Sequence, residues 1–307
     1  MFISIIIPTH NRADLLRDAI ESVLSQEPWE GTLEIIVVND ASNDNTAEIV
    51  AKYPSVRYFE TNQQSAGGAR NIGIQQAKGD WLAFLDDDDV FLPHKLKKVS
   101  NAILQNATAR MFYSSAWICD HKLTKGWIWQ GPNLNRYSSC WEAFLDDVVS
   151  VSMVVINKEI FEKTGLFDTD LKRAQDRDMW LRIVEAGYIP SPISEPLILY
   201  RSRIKESSKL LLDSWKYNTQ VLDHHISSIK YQPLPFLKKS RIYWKMRGWY
   251  ADRLVQLAIQ EKKENNKQEA KRIIRIAMHI SLFHTMKRFL LRPRNTNKLF
   301  MKPPDMS

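Results

Sequence analysis

Cysteine is nearly absent from this chain. Two residues in 307, Cys119 and Cys140, cannot build a disulfide framework, and without a C-x-x-C spacing they cannot form a zinc site by themselves. Both are expected to be reduced and structural. Long apolar runs are missing too: no stretch approaches the ~20 residues that cross a bilayer. The opening Met1-Phe2-Ile3-Ser4-Ile5-Ile6-Ile7 has no basic region before it and no small-residue cleavage site after it, so it reads as a first strand, and the protein as cytoplasmic. No G-x-G-x-x-G follows that strand and no G-x-x-x-x-G-K-[ST] occurs anywhere, so neither dinucleotide nor P-loop phosphate binding is supported. Internal repeats and low-complexity tracts are lacking as well.

What is present is a packed core. A hydrophobic content of 44% suits one large domain, or a catalytic domain with an appendage. The first hundred residues alternate between β-rich runs and amphipathic segments, the pattern of a parallel sheet covered by helices. Expected strands are Ile3 to Pro8, Leu33 to Asn39, Val56 to Glu60 and Trp81 to Asp86, apolar with little alternation, which supports burial by helices on both faces. Between the first two, Leu16, Ile20, Val23 and Leu24 share one helical face. Further helices are expected from Asn45-Thr46, from Gly67-Gly68 and from Pro93. From Arg110 to Arg203 the pattern is mixed, with strands near Met111 to Ile118 and Ser152 to Ile156, and helices near Lys158 to Thr164 and Arg177 to Ala186. Past Glu206 the chain turns polar, basic and helical, most clearly over Lys238 to Lys262 and Lys267 to Ile280.

The formal charge of +8 is unevenly spread, with acidic motifs mostly before Asp178 and Lys and Arg crowding the end. Four consecutive carboxylates, Asp86 to Asp89, stand directly behind the apolar run Trp81-Leu82-Ala83-Phe84-Leu85. Like charges this close repel unless neutralised, and clustered hard oxygen ligands suit a divalent cation such as Mg2+ or Mn2+. The plainer alternative is an acidic surface turn capping the helix from Pro93.

Ligands of open parallel sheets bind at the carboxyl ends of the strands. Pro8-Thr9-His10-Asn11-Arg12 follows the first strand, Asn39-Asp40 ends the second, and the Asp run ends the fourth. Each alone reads equally as ordinary turn and cap chemistry. Carboxylates that hold a metal, which in turn holds a diphosphate, reconcile an anionic ligand with an acidic site. Arg70, beside Asn71, can add a phosphate or base contact. A second acidic cluster, Gln175-Asp176-Arg177-Asp178, opens a helix. Asp176 there is either a cap or a general base within reach of an attacking hydroxyl.

Together these residues closely resemble the family 2 glycosyltransferases of the GT-A fold. The likeness rests on Ile5-Ile6-Ile7-Pro8-Thr9-His10-Asn11-Arg12, Ile36-Val37-Val38-Asn39-Asp40-Ala41-Ser42-Asn43-Asp44, Gly68-Ala69-Arg70-Asn71-Ile72-Gly73, Phe84-Leu85-Asp86-Asp87-Asp88-Asp89 and Gln175-Asp176-Arg177-Asp178-Met179-Trp180-Leu181-Arg182, running from Met1 to Arg203.

The resemblance implies an α/β fold, a Rossmann-like mixed, mostly parallel sheet flanked by helices, with a C-terminal α-helical extension. It divides the chain into a catalytic domain over 1–205 and a basic helical extension over 206–307. It implies donor-nucleotide contacts from Pro8, Thr9, Arg12, Asp40, Arg70, Asn71, Asp86 and Asp87, with Asp40 facing the base. Asp86 and Asp88 become the D-x-D pair that holds Mn2+ or Mg2+, Asp88 most directly, while Asp89 takes the common following acidic position. Asp176 aligns with the catalytic base. Two departures stand out. Gln175 replaces the usual Glu, and Arg203 stands where many relatives place a His, from which it can still reach phosphate. The implied reaction is a single in-line displacement at the anomeric carbon of a nucleotide-sugar, probed first as a UDP-sugar, with inversion.

For the acceptor, a glycan or lipid-linked saccharide, Trp117, Trp127, Trp129, Tyr137 and Trp141 offer aromatic faces that either stack on sugar rings or fill the core. The tail interleaves Lys238, Lys239, Arg241, Lys245, Arg247, Lys271, Arg272, Arg275, Lys287, Arg288, Arg292 and Arg294 with Trp244, Trp249, Phe283, Phe289, Leu290 and Leu291. That composition suits the anionic cytoplasmic face of a membrane or a solvated helical bundle. The rival functions are a nucleotidyltransferase, which lacks its glycine-rich loop here, and a non-catalytic carbohydrate or nucleic-acid binder. Concentrated carboxylates repel phosphate backbones, so no nucleic-acid partner is expected. Absence of a Q-x-x-R-W motif and of membrane spans favours addition of single sugars over processive synthesis.

Overall fold

The computed structural model describes residues 1–202, 207–227 and 234–290. The chain divides into two compact units, 1–202 and 203–307. In the first, β1 (Phe2–Thr9), α1 (Ala13–Leu24), β2 (Thr32–Asp40), α2 (Thr46–Val50), β3 (Val56–Thr61), α3 (Ala66–Gln76) and β4 (Trp81–Phe84) form a βα series. There follow β5 (Val90–Phe91), α4 (Lys95–Gln105), β6 (Met111–Cys119), β7 (Lys125–Trp129), α5 (Cys140–Asp146), β8 (Val154–Asn157), α6 (Ile160–Thr164), α7 (Gln175–Glu185) and β9 (Ser191–Arg201).

One nine-stranded sheet runs β3-β2-β1-β4-β8-β6-β9-β5, with β7 added on β6. Its first four strands are parallel. Strand β8 joins β4 antiparallel, and β6 continues antiparallel to β8 and parallel to β9. The core is built where the sequence is least interrupted: Ile3, Ile5, Ile6, Ile7, Ile36, Val37, Val38, Leu82, Ala83 and Phe84 are buried, as double-sided coverage of parallel strands requires. Close approach of α3 to β1 depends on Gly73, since a Cβ there would lie 2.4 Å from Ile6 Cγ2.

Topology fixes where a ligand can enter. From β1 the chain winds outward through β2 to β3, then returns across α3 to lay β4 on the other flank of β1. The strand order therefore reverses at β1, and the crevice beyond the carboxyl ends of β1 and β4 is the switch point at which such sheets bind ligands. The fourth strand is shorter than its apolar run implies. It ends at Phe84, Leu85 N–H still bonds to Ile6 O at 3.0 Å, and the chain then turns so that Asp89 N–H bonds to Asp86 O at 3.0 Å.

The second unit is helical: α8 (Ser208–Ser227), α9 (Phe236–Lys263), α10 (Lys267–Ile280) and α11 (Leu282–Leu290). Its core holds Leu222, Ala251, Leu254, Val255, Ile273 and Ala277, and Tyr250 of α9 is hydrogen-bonded to Ser214 and Asn218 of α8. Phe236, Leu237, Trp244, Trp249, Leu282, Phe283 and Met286 remain exposed. Among the described residues no helix is long and apolar enough to cross a membrane. Arg203, Leu291, Arg292 and Arg294, named above for phosphate or membrane contact, lie outside the described residues.

Candidate functional site

The four aspartates part company once the turn forms. Asp86 and Asp88 stay accessible, whereas Asp87 and Asp89 are buried. Asp87 faces Arg12, whose Nη1 donates 2.8 Å bonds to Asp87 Oδ1 and to Asp88 Oδ2. Asp89 is held from two sides: Ser152 Oγ donates to Oδ2 at 2.6 Å, and Arg201 N–H donates to Oδ1 at 3.0 Å. The same Ser152 oxygen accepts the Asp86 N–H at 3.0 Å. One hydroxyl thus ties both ends of the run to the segment before β8.

Burial and mutual repulsion define the electrostatics. Burial pushes Asp87 up to about 6, with Asp88 adding to the rise and Arg12 opposing it. Asp89 is raised well above the ordinary carboxylate range by burial and then by the charges of Asp88 and Asp86. Burial likewise brings Lys95 down to about 7; its ammonium lies 4.5 Å from the Phe91 ring centroid and 3.3 Å from Ser152 O. Arg12 stays above its usual value because Asp87, Asp88 and Asp86 outweigh the desolvation that opposes its charge.

Oxygens of Asp86, Asp88 and Asp89 all lie within 4.8 Å of one another. Hard divalent cations bind oxygen at about 2.0–2.6 Å, so oxygens at that separation can share one ion. The donor set, all carboxylate, matches Mg2+ or Mn2+ rather than a soft metal. Burial raises the Asp89 carboxyl most, the charges of Asp88 and Asp86 add to it, and such an ion would offset those charges.

Around the cluster stand the other strand ends. Thr9 closes β1; its hydroxyl is buried and interacts with Asp87, and Pro8 precedes it opposite Val38. Asp40 closes β2 and accepts the N–H groups of Gln64 at 2.9 Å and Ser65 at 2.7 Å, so it shapes the loop leading into α3. Each of its oxygens keeps a second lone pair for a ligand. Arg70 of α3 is buried; Nη2 donates to Asp86 Oδ1 at 2.6 Å, Nη1 to Gln175 Oε1 at 3.4 Å, and Nε is without a partner among the described residues. Asn71 is not gathered into this group. Its amide exchanges two bonds with the Phe167 backbone, 2.8 and 2.9 Å, joining α3 to the segment before α7.

Helix α7 begins two residues earlier than its apolar face implies, and this places Asp176 in its first turn, after Ala174 at φ 60°. The Arg177 N–H donates to Asp176 Oδ1 at 2.8 Å. Burial raises the Asp176 carboxyl; that bond and the Arg70 charge pull it back, and Asp86 pushes it up again. Arg70 and Asp86 are therefore electrostatic neighbours of a carboxylate some hundred residues distant in sequence. Gln175, beside it, donates to Ser65 Oγ at 3.1 Å and to Leu171 O at 2.5 Å. This neutral amide joins the start of α7 to α3, taking Arg70 Nη1 while Asp86 takes Nη2.

Backbone strain gathers at the same place. Of six non-glycine residues with positive φ among the described residues, Asn11, Ala41, Gln64 and Ala174 lie in the loops at these strand ends and before α7. Such conformations cost about 1–3 kcal/mol each and persist where surrounding structure over-determines them. The aromatic segment divides as well. Trp141 is core, whereas Trp117, Trp127, Trp129 and Tyr137 are half-buried, with Trp129 edge-on to Tyr200 at 5.3 Å. Both cysteines are free, and burial pushes Cys119 up to about 11, as a structural thiol requires. Ser152, Lys95 and Arg201 carry no motif of their own. Only their tertiary partners reveal them.

Comparison with known proteins bears on the family and the fold. Residues 4–165 match the family described as Glycosyl transferase family 2. A Haemophilus influenzae protein described as an uncharacterized glycosyltransferase is 30% identical over 237 residues, covering 74% of this chain and 78% of that one. The structure resembles Staphylococcus aureus TarS 1–349 in complex with UDP-GlcNAc, with TM-score 0.56 and 16% identity over 90% of this chain and 91% of TarS 1–349. It also resembles the mannosyltransferase PcManGT of Pyrobaculum calidifontis in complex with GDP-Man and Mn2+, with TM-score 0.61 and 16% identity over 94% and 87% of the two chains. The chain belongs to glycosyl transferase family 2 and has the GT-A fold.

Proposed function

We propose that this glycosyltransferase moves a single sugar from a nucleoside-diphosphate sugar, a UDP-sugar in the first instance, to a hydroxyl of a glycan or lipid-linked saccharide, with inversion. The observation that carries the reading is the meeting of Asp86, Asp88, Arg70 and Asp176 at the switch-point crevice, where the buried Arg70 Nε has no partner among the described residues. Buried polar groups are ordinarily satisfied, so this is an atom a nucleotide would engage. The complexes of TarS with UDP-GlcNAc and of PcManGT with GDP-Man and Mn2+ support the donor class.

In the proposed reaction Asp176 accepts the proton of the acceptor hydroxyl as its oxygen attacks the anomeric carbon. The bond to the diphosphate oxygen breaks, and its electron pair leaves with the nucleoside diphosphate. A divalent cation bound by Asp86 and Asp88 would supply charge neutralisation for that leaving group. Arg70 contributes a fixed positive charge from the protein side, and its forked geometry suits phosphate oxygens. Arg12 keeps Asp87 and Asp88 from repelling the incoming anion, and Thr9 and Asp40 line the nucleoside end. Asp87 contributes through Arg12. Inversion follows from one in-line displacement. The half-buried Trp117, Trp127 and Trp129 belong to the acceptor side. The α9–α11 face, with Trp244 and Phe283 exposed and their rings 6.2 Å apart, is proposed to rest on an anionic membrane surface. A panel of UDP- and GDP-sugars, scored by nucleoside diphosphate release with Mn2+ and Mg2+ compared, tests the reading. Release from one donor in a metal-dependent manner is expected; no release from any donor with either ion contradicts it.

A further inference from the structure

Arg201, the last residue of β9, is 9% exposed, and each of its four nitrogens donates a hydrogen bond, two of them to the carboxylate turn. Its N–H holds Asp89 Oδ1 at 3.0 Å, Nε–H donates to the Asp88 carbonyl at 2.9 Å, Nη1 to the His121 carbonyl, and Nη2 to Asp18 Oδ2 at 2.7 Å. The first two bonds grip successive residues of the aspartate run. A bond to the Asp88 carbonyl fixes the peptide plane between Asp88 and Asp89, and with it the direction in which the Asp88 side chain leaves the backbone. The other two bonds anchor the guanidinium to α1 and to the turn between β6 and β7. Asp18 is the outermost link, with 43% of its side chain exposed.

We propose that Arg201 is a positioning residue that sets the geometry of the Asp86–Asp88 carboxylates for a divalent cation, and that Asp18, although remote from the cluster, acts through it. This rests on the reading of Asp86 and Asp88 as metal ligands. Mg2+ and Mn2+ favour compact, near-octahedral oxygen shells, so small rotations of a ligand arm cost affinity, and groups that orient metal ligands typically matter by about 10–100-fold. A purely structural ion pair would change stability alone. In Asp18→Asn the charge is lost while the amide oxygen can still accept the bond from Arg201 Nη2, so this substitution separates the two effects.

The test is Mn2+ binding to the purified full chain, read as free Mn2+ by electron paramagnetic resonance with and without UDP, beside a thermal melt. Asp18→Asn is expected to weaken Mn2+ binding about 3–10-fold with a little-changed melt, Asp18→Glu to retain wild-type affinity, and Arg201→Lys to lose about tenfold or more. Wild-type Mn2+ affinity in Asp18→Asn and Arg201→Lys, alongside loss in Asp88→Ala, overturns the positioning role while leaving the metal site standing. Equal Mn2+ binding by wild type and Asp88→Ala overturns the underlying site reading, and this inference with it. Should Arg201→Lys fail to fold, the contrast between Asp18→Asn and Asp18→Glu still decides.

Discussion

Arg70 Nη2 lies 2.6 Å from Asp86 Oδ1, joining the third helix to the turn beyond the fourth strand across the crevice where the sheet reverses its order. The guanidinium is buried, packs 5.7 Å from the Phe167 ring centroid, and retains a partnerless Nε among the described residues. Arg70→Lys keeps the charge but removes the planar fork. Its expected effect is about a tenfold weaker Kd for UDP, or ~1.4 kcal/mol, by isothermal titration calorimetry in the presence of Mn2+. Unchanged affinity would remove Arg70 from the donor contacts.

Glu34 predicts a pH dependence of stability. Burial pushes its carboxyl up, but bonds from Ser4 Oγ at 2.6 Å, Lys78 N–H at 2.6 Å and Arg57 Nη1 at 2.5 Å reverse this and leave it below its ordinary 4.5. A depressed folded-state value means the unfolded chain binds more protons in acid, so this stabilisation is complete above pH 4.5 and fades as pH falls through the lowered value. Thermal melts of Glu34→Gln should therefore lie below wild type at pH 7 and converge on it in acid. A constant gap would show that Glu34 contributes packing rather than charge.

The membrane proposal makes a separate prediction. Flotation with phosphatidylglycerol–phosphatidylcholine vesicles at low salt should carry the wild-type chain upward, and replacing both Trp244 and Phe283 by Ala should reduce the floated fraction. Salt should do the same, because attraction of basic residues to an anionic surface is screened within about 10 Å at 0.1 M. Equal recovery from neutral and anionic vesicles would contradict the charge-led mode, and no flotation at all would remove the surface.

Much of the site was legible because it lies where local signals are strongest. Strands β1 and β2 are buried as they run toward their carboxyl ends and read there as apolar runs, so those ends, and hence Thr9 and Asp40, fall where the run stops. Helix α10 emerges at its observed bounds, Lys267–Ile280, because its apolar period is clean. The inward or outward direction of each aspartate was not legible, since it depends on a turn closed by Asp89 N–H to Asp86 O and on Ser152, far along the chain. Asn71 shows the same limit: its two bonds to the Phe167 backbone are ones that only packing creates. Strand β9 was hidden because Pro192 and Pro196 interrupt it and its register with β6 shifts near Ser114 and Ser115. Arg201 at its end was hidden with it.

The role of Asp176 as the base of a glycosyl transfer is open to a single decisive comparison. With the donor identified by the panel, wild type and Asp176→Asn are compared for transfer turnover and for UDP affinity in parallel. Asn preserves the size of the side chain but cannot take the acceptor's proton. Turnover is expected to fall by about 100–10,000-fold, the span of general-base catalysis, with UDP affinity unchanged. Full turnover in a correctly folded Asp176→Asn would contradict it.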